Sequence, residues 1–419
     1  MKTVVIVGGG HGGFQVAESL RHEGFTGNIH LITNEACLPY HKPPLSKAFL
    51  TGRQTEEGLQ FRPVSFYEKN FIKVHLAESA QRMDPTGHHI WLQSGLCLAY
   101  DKLILSTGCT PRRLGIEGED KRGVFELRSL EDAKKLRSSI LPGTRVVVVG
   151  AGFIGLEFAA VAVENGMDVT VLETQDRILS RVLPEIMSSF FMKKHAHYGV
   201  KIRTGIKVNQ ILGENSVTGV LLDDGSVLDA DMVMVGVGVV PNESLAKDAG
   251  LECKNGIVVD KHLRTSHPDI YAIGDCAMHP NPFAGTCLRI ESVQNAVEQA
   301  RTVAAAIAGN VDKCYESVPW FWTDQYEVKL QMAGLSSGHD SFFIRAQSAE
   351  KFSVLYYKNQ KLIAVDSINA PADHLAARKL LQAGISPLPE LVVDTKVKLS
   401  ALYDNARLNK LSGISYISQ

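Results

Sequence analysis

Two groups of closely spaced glycines have the residue types and the spacing needed to hold phosphates. Each group follows an apolar run, TVVIV in the first case and RVVVV in the second, and fits the pattern G-x-G-x-x-G. The first group is Gly8, Gly10 and Gly13, and the second is Gly150, Gly152 and Gly155. The first glycine permits a tight turn, the second lets a pyrophosphate approach the backbone, and the third lets the next helix pack closely. Because the pattern occurs twice, we predict two bound dinucleotides.

A carboxylate that accepts ribose hydroxyl groups is expected at the end of the strand after each glycine-containing helix. The segment DVTVLE ends at Glu173, close to the spacing of roughly 20 residues after the last glycine that the motif requires. The next basic residue is Arg177, so we expect the site to prefer NADH to NADPH. In the first repeat the strand ends at Asn34 and Glu35. We expect Glu35 to supply the carboxylate and Asn34 to hydrogen-bond the ribose.

Two further apolar segments end in residues that suit a permanently bound flavin. The segment LILSTG ends at Thr107 and Gly108, and the segment DIYAIGD ends at Gly274 and Asp275. An aspartate after such a strand can accept a hydrogen bond from a ribityl hydroxyl, and nearby N–H groups can face a phosphate. Either segment taken alone is more typical of a plain strand end and turn.

Length and charge restrict the class of protein. The chain has 419 residues, with 44 basic and 45 acidic side chains and a formal net charge of −1. This length predicts two or three domains, and the balanced charge argues against a nucleic-acid-binding or polybasic membrane protein. No apolar run approaches the roughly 18 residues of a transmembrane helix. The chain passes from Met1 into a predicted strand without a signal or transit sequence, which predicts a cytoplasmic location.

The cysteines and histidines do not have the spacing of redox or metal sites. The seven cysteines include no C-x-x-C or C-x4-C pair, which favours ordinary thiols in a reducing compartment. The histidines form no H-x3-H or H-E-x-x-H pattern, so no metal site is predicted.

The combined motifs resemble those of a known group of flavoproteins. Both glycine patterns, GVGVVPN and YAIGDCA resemble the reductases that bind two dinucleotides. The segments PYHKPPLSKAFL and PWFWTDQYEVKLQMAGLS narrow the resemblance to NADH-dependent ferredoxin reductases of oxygenases and cytochromes P450. This family includes the putidaredoxin, rubredoxin and biphenyl-dioxygenase ferredoxin reductases, and the resemblance covers essentially the whole chain.

The resemblance implies that FAD occupies the first glycine pattern and NADH the second. With the strand ends above, the residues assigned to FAD are Gly8, Gly10, Gly12, Gly13, Asn34, Glu35, Lys47, Ala80, Thr107, Gly108, Arg128, Gly274, Asp275, Val293 and Trp322. Those assigned to NADH are Gly150, Gly152, Ile154, Gly155, Glu157, Glu173 and Gly238. The chain departs from the family pattern at His11, Asn34, Lys42 and Ser106. We expect these departures to tune FAD affinity.

Three residues are implied to act beside the flavin. Lys47 and Glu157 would form an ion pair there, with Glu157 also receiving the nicotinamide carboxamide, and Trp322 would lie near the flavin ring. Each has a plainer alternative: a solvated lysine after a loop, a helix N-terminal acid favoured by the dipole, and an aromatic core residue. The resemblance favours the functional interpretation of all three.

The predicted fold class is α/β, with two Rossmann-like dinucleotide-binding domains, the second inserted in the first, and a C-terminal αβ domain. The FAD-binding domain is expected at residues 1–112 and 243–317, the NADH-binding domain at 113–242, and the C-terminal domain, which would cover the flavin, at 318–419. No low-complexity linker separates these parts.

The resemblance implies an NADH:ferredoxin oxidoreductase that takes hydride from NADH onto FAD and releases single electrons to a [2Fe–2S] ferredoxin, or to a rubredoxin. Lys42, Arg289 and Arg301 are candidates for a basic rim that steers an acidic ferredoxin, although each could be a solvated charge or an internal partner. One alternative is an NADH oxidase, peroxidase or disulfide reductase, but these need a thiol roughly where Pro43–Leu45 stand. Another is an apoptosis-inducing-factor-like flavoprotein, but the presequence and the basic DNA-binding surface expected of such a protein are missing from this sequence. The sequence leaves the oligomeric state open.

Overall fold

The structure, a computed structural model, describes residues 2–411 and divides into two compact units. The first unit comprises residues 2–180, 185–281 and 286–315. The second comprises residues 181–184, 282–285 and 316–411. Met1 and residues 412–419, which were included in the predicted first and last domains, lie outside the described residues.

The first parallel sheet of the first unit is built around the strand Thr3–Val7. This strand is almost entirely apolar and pairs in parallel on both sides, so it is buried in the centre of the sheet. In spatial order the strands are Ile270–Ala272, Lys102–Leu105, Thr3–Val7, Asn28–Ile32 and Ile72–His75. Because all five run in parallel, their carboxyl ends meet at one edge, where the glycines and the acidic strand ends of the sequence come together.

The second parallel sheet repeats this arrangement around Arg145–Val149. In spatial order its strands are Val124–Phe125, Met232–Val235, Arg145–Val149, Asp168–Glu173 and Lys201–Thr204. The last four strands of this row follow the same chain order as the last four strands of the first sheet. The first strands of the two rows differ: Val124–Phe125 comes before the other four in the chain, whereas Ile270–Ala272 comes after them. The two glycine patterns therefore belong to two sheets of the same architecture.

A short antiparallel pair marks the place where the chain enters and leaves the region of the second sheet. Cys109–Pro111 pairs with Val239–Pro241, so the two connections run side by side. This pair lies next to the boundaries at residues 112 and 242, which stay a prediction.

The other elements of the first unit cover these sheets or connect their strands. Its helices are His11–His22, Glu56–Leu59, Val64–Lys69, Leu130–Ser138, Phe153–Glu164, Glu185–His197, Ser244–Asp248 and Val293–Ile307, with 3-10 turns at Pro43–Ser46 and Gly274–Cys276. Three small sheets comprise Ala80–Asp84 with His89–Leu92 and Cys97–Ala99, Val208–Leu212 with Gly219–Leu222 and Val227–Asp229, and Ile257–Val258 with Ala277–Asn281 and Thr286–Leu288.

The second unit is an antiparallel sheet packed against helices. Its strands, in spatial order, are Trp320–Gln325, Val328–Gly334, Lys361–Ile368, Lys351–Lys358 and Ser341–Ser348, and its helices are Pro371–Gln382, Pro389–Val393 and Leu399–Leu411. Arg345 on the edge strand is buried and pairs with Asp373 at 3.2 Å. Its guanidinium also donates to the carbonyl oxygens of Val392, Asp394 and Val397, which fixes the edge strand to the helical layer.

A buried carboxyl in the second unit should make stability depend on pH. Tyr356 donates its phenolic hydrogen to Asp366 Oδ2 at 2.9 Å, and burial raises the pKa of Asp366 to about 7. An unfolded aspartate has a pKa of about 3.9, so the folded chain holds the proton more tightly. The free energy of unfolding should therefore fall as pH rises from about 4 to about 7, by up to about 4 kcal/mol, and then level off.

Urea unfolding at pH 5 and pH 8 checks this expectation. Asp366→Asn should lose most of the fall in stability that the unmodified protein shows between the two pH values. Asp324→Asn, which changes a carboxylate that is 38% exposed, serves as the matched control and should keep that fall. Equal pH dependence of the unmodified protein and the Asp366→Asn variant would show that Asp366 is ionised in the folded chain.

Candidate cofactor-binding and redox site

The first glycine turn, residues 8–13, leaves open space at the N-terminus of the helix His11–His22. A Cβ atom on Gly8 would lie 2.1 Å from the Ser106 carbonyl oxygen, and one on Gly13 would lie 1.9 Å from that of Gly8. A Cβ atom on Gly10 would meet no atom within 4 Å. Gly8 and Gly13 are thus required by the packing of the backbone, whereas Gly10 borders free space that fits a pyrophosphate.

The second glycine turn, residues 150–155, has the same arrangement. Cβ atoms on Gly150 and Gly155 would lie 2.5 Å and 2.3 Å from backbone oxygens, while one on Gly152 would lie 3.9 Å from its nearest neighbour. Gly10 and Gly152 are also the N-caps of their helices, and neither helix has an acidic residue in its first turn. Neither helix start has a side-chain cap, so backbone N–H groups there can donate to phosphate oxygens without competition from a capping side chain.

Basic and imidazole groups surround the first glycine turn. Burial, and then the charges of His41, Lys42 and Arg128, lower the pKa of His11 to about 3. His11 is therefore neutral at pH 7, and its ring packs edge-on against Phe61 at 4.9 Å. Lys42 and Arg128 lie near this helix N-terminus, each paired with a carboxylate, and the helix N-terminus itself favours an anionic ligand.

The Glu173 carboxylate is hydrogen-bonded directly to the second glycine turn. Its Oε2 accepts a hydrogen bond from the Ala151 N–H at 2.8 Å, and its Oε1 accepts one from the Gln175 N–H at 2.9 Å. Both bonds come from the backbone, so the carboxylate has a fixed orientation beside Gly150 and Gly152. Oε1 also accepts the Thr174 hydroxyl at 3.2 Å, so Oε2 is the oxygen that retains a lone pair for a ribose hydroxyl.

The corresponding residues of the first repeat are arranged differently. Glu35 forms an ion pair with Lys42 at 2.9 Å, and its second oxygen accepts the Tyr40 hydroxyl at 2.6 Å. Burial, and then the Glu35 charge, raise the pKa of Tyr40. Asn34 is exposed at the strand end. Glu35 thus anchors its own loop through Lys42 and Tyr40, and its predicted ribose contact stays a prediction.

The two strand ends assigned to the flavin are brought together through Arg128. Its guanidinium donates to Asp275 Oδ2 and to the Cys109 carbonyl oxygen, both at 3.0 Å. Thr107 donates its hydroxyl hydrogen to the Asn242 carbonyl oxygen at 2.7 Å. Gly108 and Gly274 have φ values of +65° and +73°, which favour glycine. Arg128 and Asp275, predicted separately as FAD contacts, are therefore direct partners.

The predicted ion pair between Lys47 and Glu157 is present in the structure. Lys47 Nζ lies 2.7 Å from Glu157 Oε1, and Glu157 is only 4% exposed. Ser46 donates its hydroxyl hydrogen to Glu157 Oε2 at 2.5 Å. Sequence reasoning missed Ser46, and the signal that could have found it is its place beside Lys47 in PPLSK. The turn Pro43–Lys47 and the helix Phe153–Glu164 thus meet at one carboxylate.

The remaining predicted residues are more dispersed. Gly12 faces Ser106, Ile154 is exposed in the first turn of its helix, and Gly238 adopts φ +101° before the strand that leaves the second sheet. Ala80 begins a strand of a small separate sheet, and Val293 begins the helix Val293–Ile307. Trp322 lies in the second unit, 5.5 Å from the Trp320 ring, so its place beside the flavin stays a prediction.

The thiols do not have the properties of a redox centre. All seven cysteines are free, and Pro43, Pro44 and Leu45 occupy the turn beside Glu157. Burial raises the pKa of Cys109 to about 12 and that of Cys253 to about 11, which disfavours the reactive thiolate. Among residues 2–411 no three His, Cys, Asp or Glu side chains could hold a metal ion, and no helix in that range is long and apolar enough to cross a membrane.

Comparisons with known proteins agree with this geometry. The pyridine nucleotide-disulphide oxidoreductase family matches residues 2–300, and the reductase C-terminal family matches residues 320–403. Rhodocoxin reductase of Rhodococcus erythropolis is 43% identical over 400 residues, which cover 95% of this chain and 93% of that protein.

Two solved structures are similar over nearly their whole length. The ferredoxin reductase for the CYP199A2 system of Rhodopseudomonas palustris has a TM-score of 0.93 and 42% identity, with 96% of this chain and 99% of that chain covered. The reductase in the covalent complex of putidaredoxin reductase with putidaredoxin has a TM-score of 0.94 and 39% identity, with 97% and 99% covered.

These similarities confirm the predicted α/β fold with its C-terminal αβ domain, and they confirm that the protein is an oxidoreductase. They also confirm FAD and NAD(H) as its cofactors, for which the open space beside Gly10 and Gly152 is suited. The chain belongs to the pyridine nucleotide-disulphide oxidoreductase family and, within it, to the flavoprotein reductases of ferredoxins.

Proposed function

We propose that this protein is a cytoplasmic NADH-dependent reductase of a [2Fe–2S] ferredoxin that serves an oxygenase or a cytochrome P450. The observation that carries the proposal is the turn Pro43–Lys47, which presents Ser46 and Lys47 to Glu157 where a thiol-dependent reductase needs a cysteine. Similarity to putidaredoxin reductase, which was solved in a complex with putidaredoxin, supports the choice of partner.

The residues of the chain bind and orient the two cofactors in this proposal. When bound, FAD accepts hydride from NADH and passes the electrons singly to the iron–sulfur protein. The first glycine turn holds the FAD pyrophosphate, with Arg128 and Asp275 beside it, and the second holds that of NADH. Glu173 accepts hydroxyls of the adenosine ribose, and Glu157 accepts a hydrogen bond from the nicotinamide carboxamide. Lys47 keeps Glu157 in place.

The candidate residues for steering the ferredoxin differ in their surroundings. Lys42 is paired with Glu35, and Arg289, which is 9% exposed, is paired with Glu291 at 2.8 Å. Arg301 is 52% exposed and pairs with Glu298 at 2.9 Å within one helix. Of the three, Arg301 is therefore the cation that a partner protein can reach, and we infer that it contributes to docking.

The expected result is that NADH–ferredoxin–cytochrome c activity falls with added salt, while NADH–ferricyanide activity changes little. Ferredoxins of this kind are usually acidic, and the Debye length falls from about 10 Å at 0.1 M salt to about 3 Å at 1 M. Arg301→Gln should lower kcat/KM for the ferredoxin. The matched variant Arg203→Gln, which removes a 35% exposed cation paired with Asp224 at 3.0 Å, should lower it less.

The same assay with other acceptors tests the functional assignment. Faster turnover with glutathione disulfide, coenzyme A disulfide or peroxide than with any [2Fe–2S] ferredoxin would establish the thiol-dependent alternative. Faster turnover with a rubredoxin than with any ferredoxin would support single-electron delivery but would identify a rubredoxin as the partner.

A further inference from the structure

We propose that Ser46 is a positioning residue that fixes the orientation of the Glu157 carboxylate toward the nicotinamide. This inference rests on the proposed function, in which Glu157 accepts a hydrogen bond from the carboxamide of the coenzyme. It adds a third residue to the pair formed by Lys47 and Glu157.

The two oxygens of Glu157 are held by neighbouring residues of one turn. Lys47 Nζ lies 2.7 Å from Oε1, and Ser46 Oγ donates to Oε2 at 2.5 Å. The terminal torsion of a glutamate side chain is broad, so each donor narrows the range through which the carboxylate plane can turn. Two donors from adjacent residues fix that plane.

The turn that carries both donors is rigid. Pro43 and Pro44 occupy its first two positions, where the ring restricts φ. The Lys47 N–H donates to the Pro44 carbonyl oxygen at 3.0 Å, and so does the Phe49 N–H. Leu45 is buried beside Ser46. The turn therefore cannot easily adjust if one donor is removed.

Ser46 and Lys47 differ in how much water reaches them. Ser46 is buried at 3% exposure, whereas the Lys47 side chain is 21% exposed. A charge-assisted hydrogen bond is stronger in a buried environment, and water can partly replace an exposed donor but not a buried one. Loss of the Ser46 hydroxyl should therefore leave Glu157 Oε2 less well oriented, even with Lys47 in place.

Binding of two ligands to the Ser46→Ala variant tests this role. NAD+ contains the nicotinamide and ADP-ribose does not, while both contain the groups assigned to the second glycine turn and Glu173. Ser46→Ala should weaken NAD+ binding about tenfold, which corresponds to about 1.4 kcal/mol, and leave ADP-ribose binding unchanged. Equilibrium dialysis of the FAD-loaded protein measures both constants. Thr51→Ala, which removes a hydroxyl that donates to the Ala48 carbonyl oxygen, should change neither.

A double-mutant cycle shows whether Ser46 acts through Glu157. Glu157→Gln alone should weaken NAD+ binding, and Ser46→Ala added to it should have little further effect. Circular dichroism and FAD content establish that each variant is folded.

Several outcomes would contradict the inference. Equal weakening of NAD+ and ADP-ribose would show that Ser46 only packs the turn against the helix, and no weakening of either would show that it does not position Glu157. Full additivity with Glu157→Gln would show that Ser46 acts elsewhere. If Glu157→Gln itself leaves NAD+ binding unchanged, the proposed role of Glu157 is wrong, whereas the ferredoxin assignment is tested separately by the acceptor assays.

Discussion

Gly10→Val should give a folded protein that binds FAD at least about 100-fold more weakly and keeps its affinity for NAD+. Gly152→Val should show the reverse, with full FAD content and loss of NAD+ binding. The two substitutions are chemically identical and lie at equivalent positions of two similar folds. The reciprocal result would assign each glycine turn to its own cofactor.

The physical basis of this expectation is the free space beside both glycines. A Cβ atom on Gly10 meets nothing within 4 Å, and one on Gly152 meets its nearest neighbour at 3.9 Å. Their φ angles of −76° and −80° suit any residue, so a valine there strains neither backbone. The branched side chain instead fills the space in which a pyrophosphate would lie. A 100-fold loss corresponds to about 2.7 kcal/mol, within the usual cost of overpacking.

Gly13→Ala provides the contrasting control. Its Cβ would lie 1.9 Å from the Gly8 carbonyl oxygen, so the helix must move away from the strand. This variant should lose stability as well as FAD, whereas Gly10→Val should unfold at nearly the urea concentration of the unmodified protein. Absorbance at 450 nm after gel filtration measures FAD retention, and equilibrium dialysis measures NAD+ binding. Full FAD content in folded Gly10→Val would show that the first glycine turn does not hold the FAD pyrophosphate.

The glycine turns were predictable because their chemistry is local. A strand, three glycines and a helix occupy adjacent residues, so each pattern could be recognised without knowledge of the tertiary fold. Glu173 was predictable for a related reason, since parallel strands end at the same edge of a sheet. The structure adds what holds it there, which is the backbone N–H of Ala151 inside the turn itself.

Contacts between distant segments could not be predicted from the residues alone. Ser46 and Glu157 are 111 residues apart, and Arg128 and Asp275 are 147 apart, so only the packing of the chain brings each pair together. The contacts of Glu35 were not predictable either. Its position at a strand end suggested that it binds a ribose, but it did not indicate that Lys42 and Tyr40 would contact both of its oxygens.

The coenzyme preference should depend on the charge of Glu173. We expect kcat/KM of the unmodified protein to be at least about 100-fold higher with NADH than with NADPH. A 2′-phosphate would bring negative charge close to the carboxylate, and two like charges 4 Å apart repel by about 1 kcal/mol in water and about 4 kcal/mol near a protein surface. The next basic residue along the chain, Arg177, donates to Ser188 Oγ and to the Ser180 carbonyl oxygen. Those bonds direct its guanidinium toward Ser180 and the helix Glu185–His197.

Three substitutions separate the charge of Glu173 from its support of the turn. Glu173→Gln keeps an oxygen that can accept from the Ala151 N–H, so it should lower the preference for NADH with little loss of NADH activity. Glu173→Ala also removes that bond, so activity with NADH should fall further. Glu173→Arg should move the preference toward NADPH, because the guanidinium can pair with the 2′-phosphate. Asp176→Asn, an exposed acid three residues along, is the matched control and should keep the original preference. Equal kcat/KM for the two coenzymes in the unmodified protein would contradict the assignment, because a carboxylate fixed beside the ribose must repel a phosphate there.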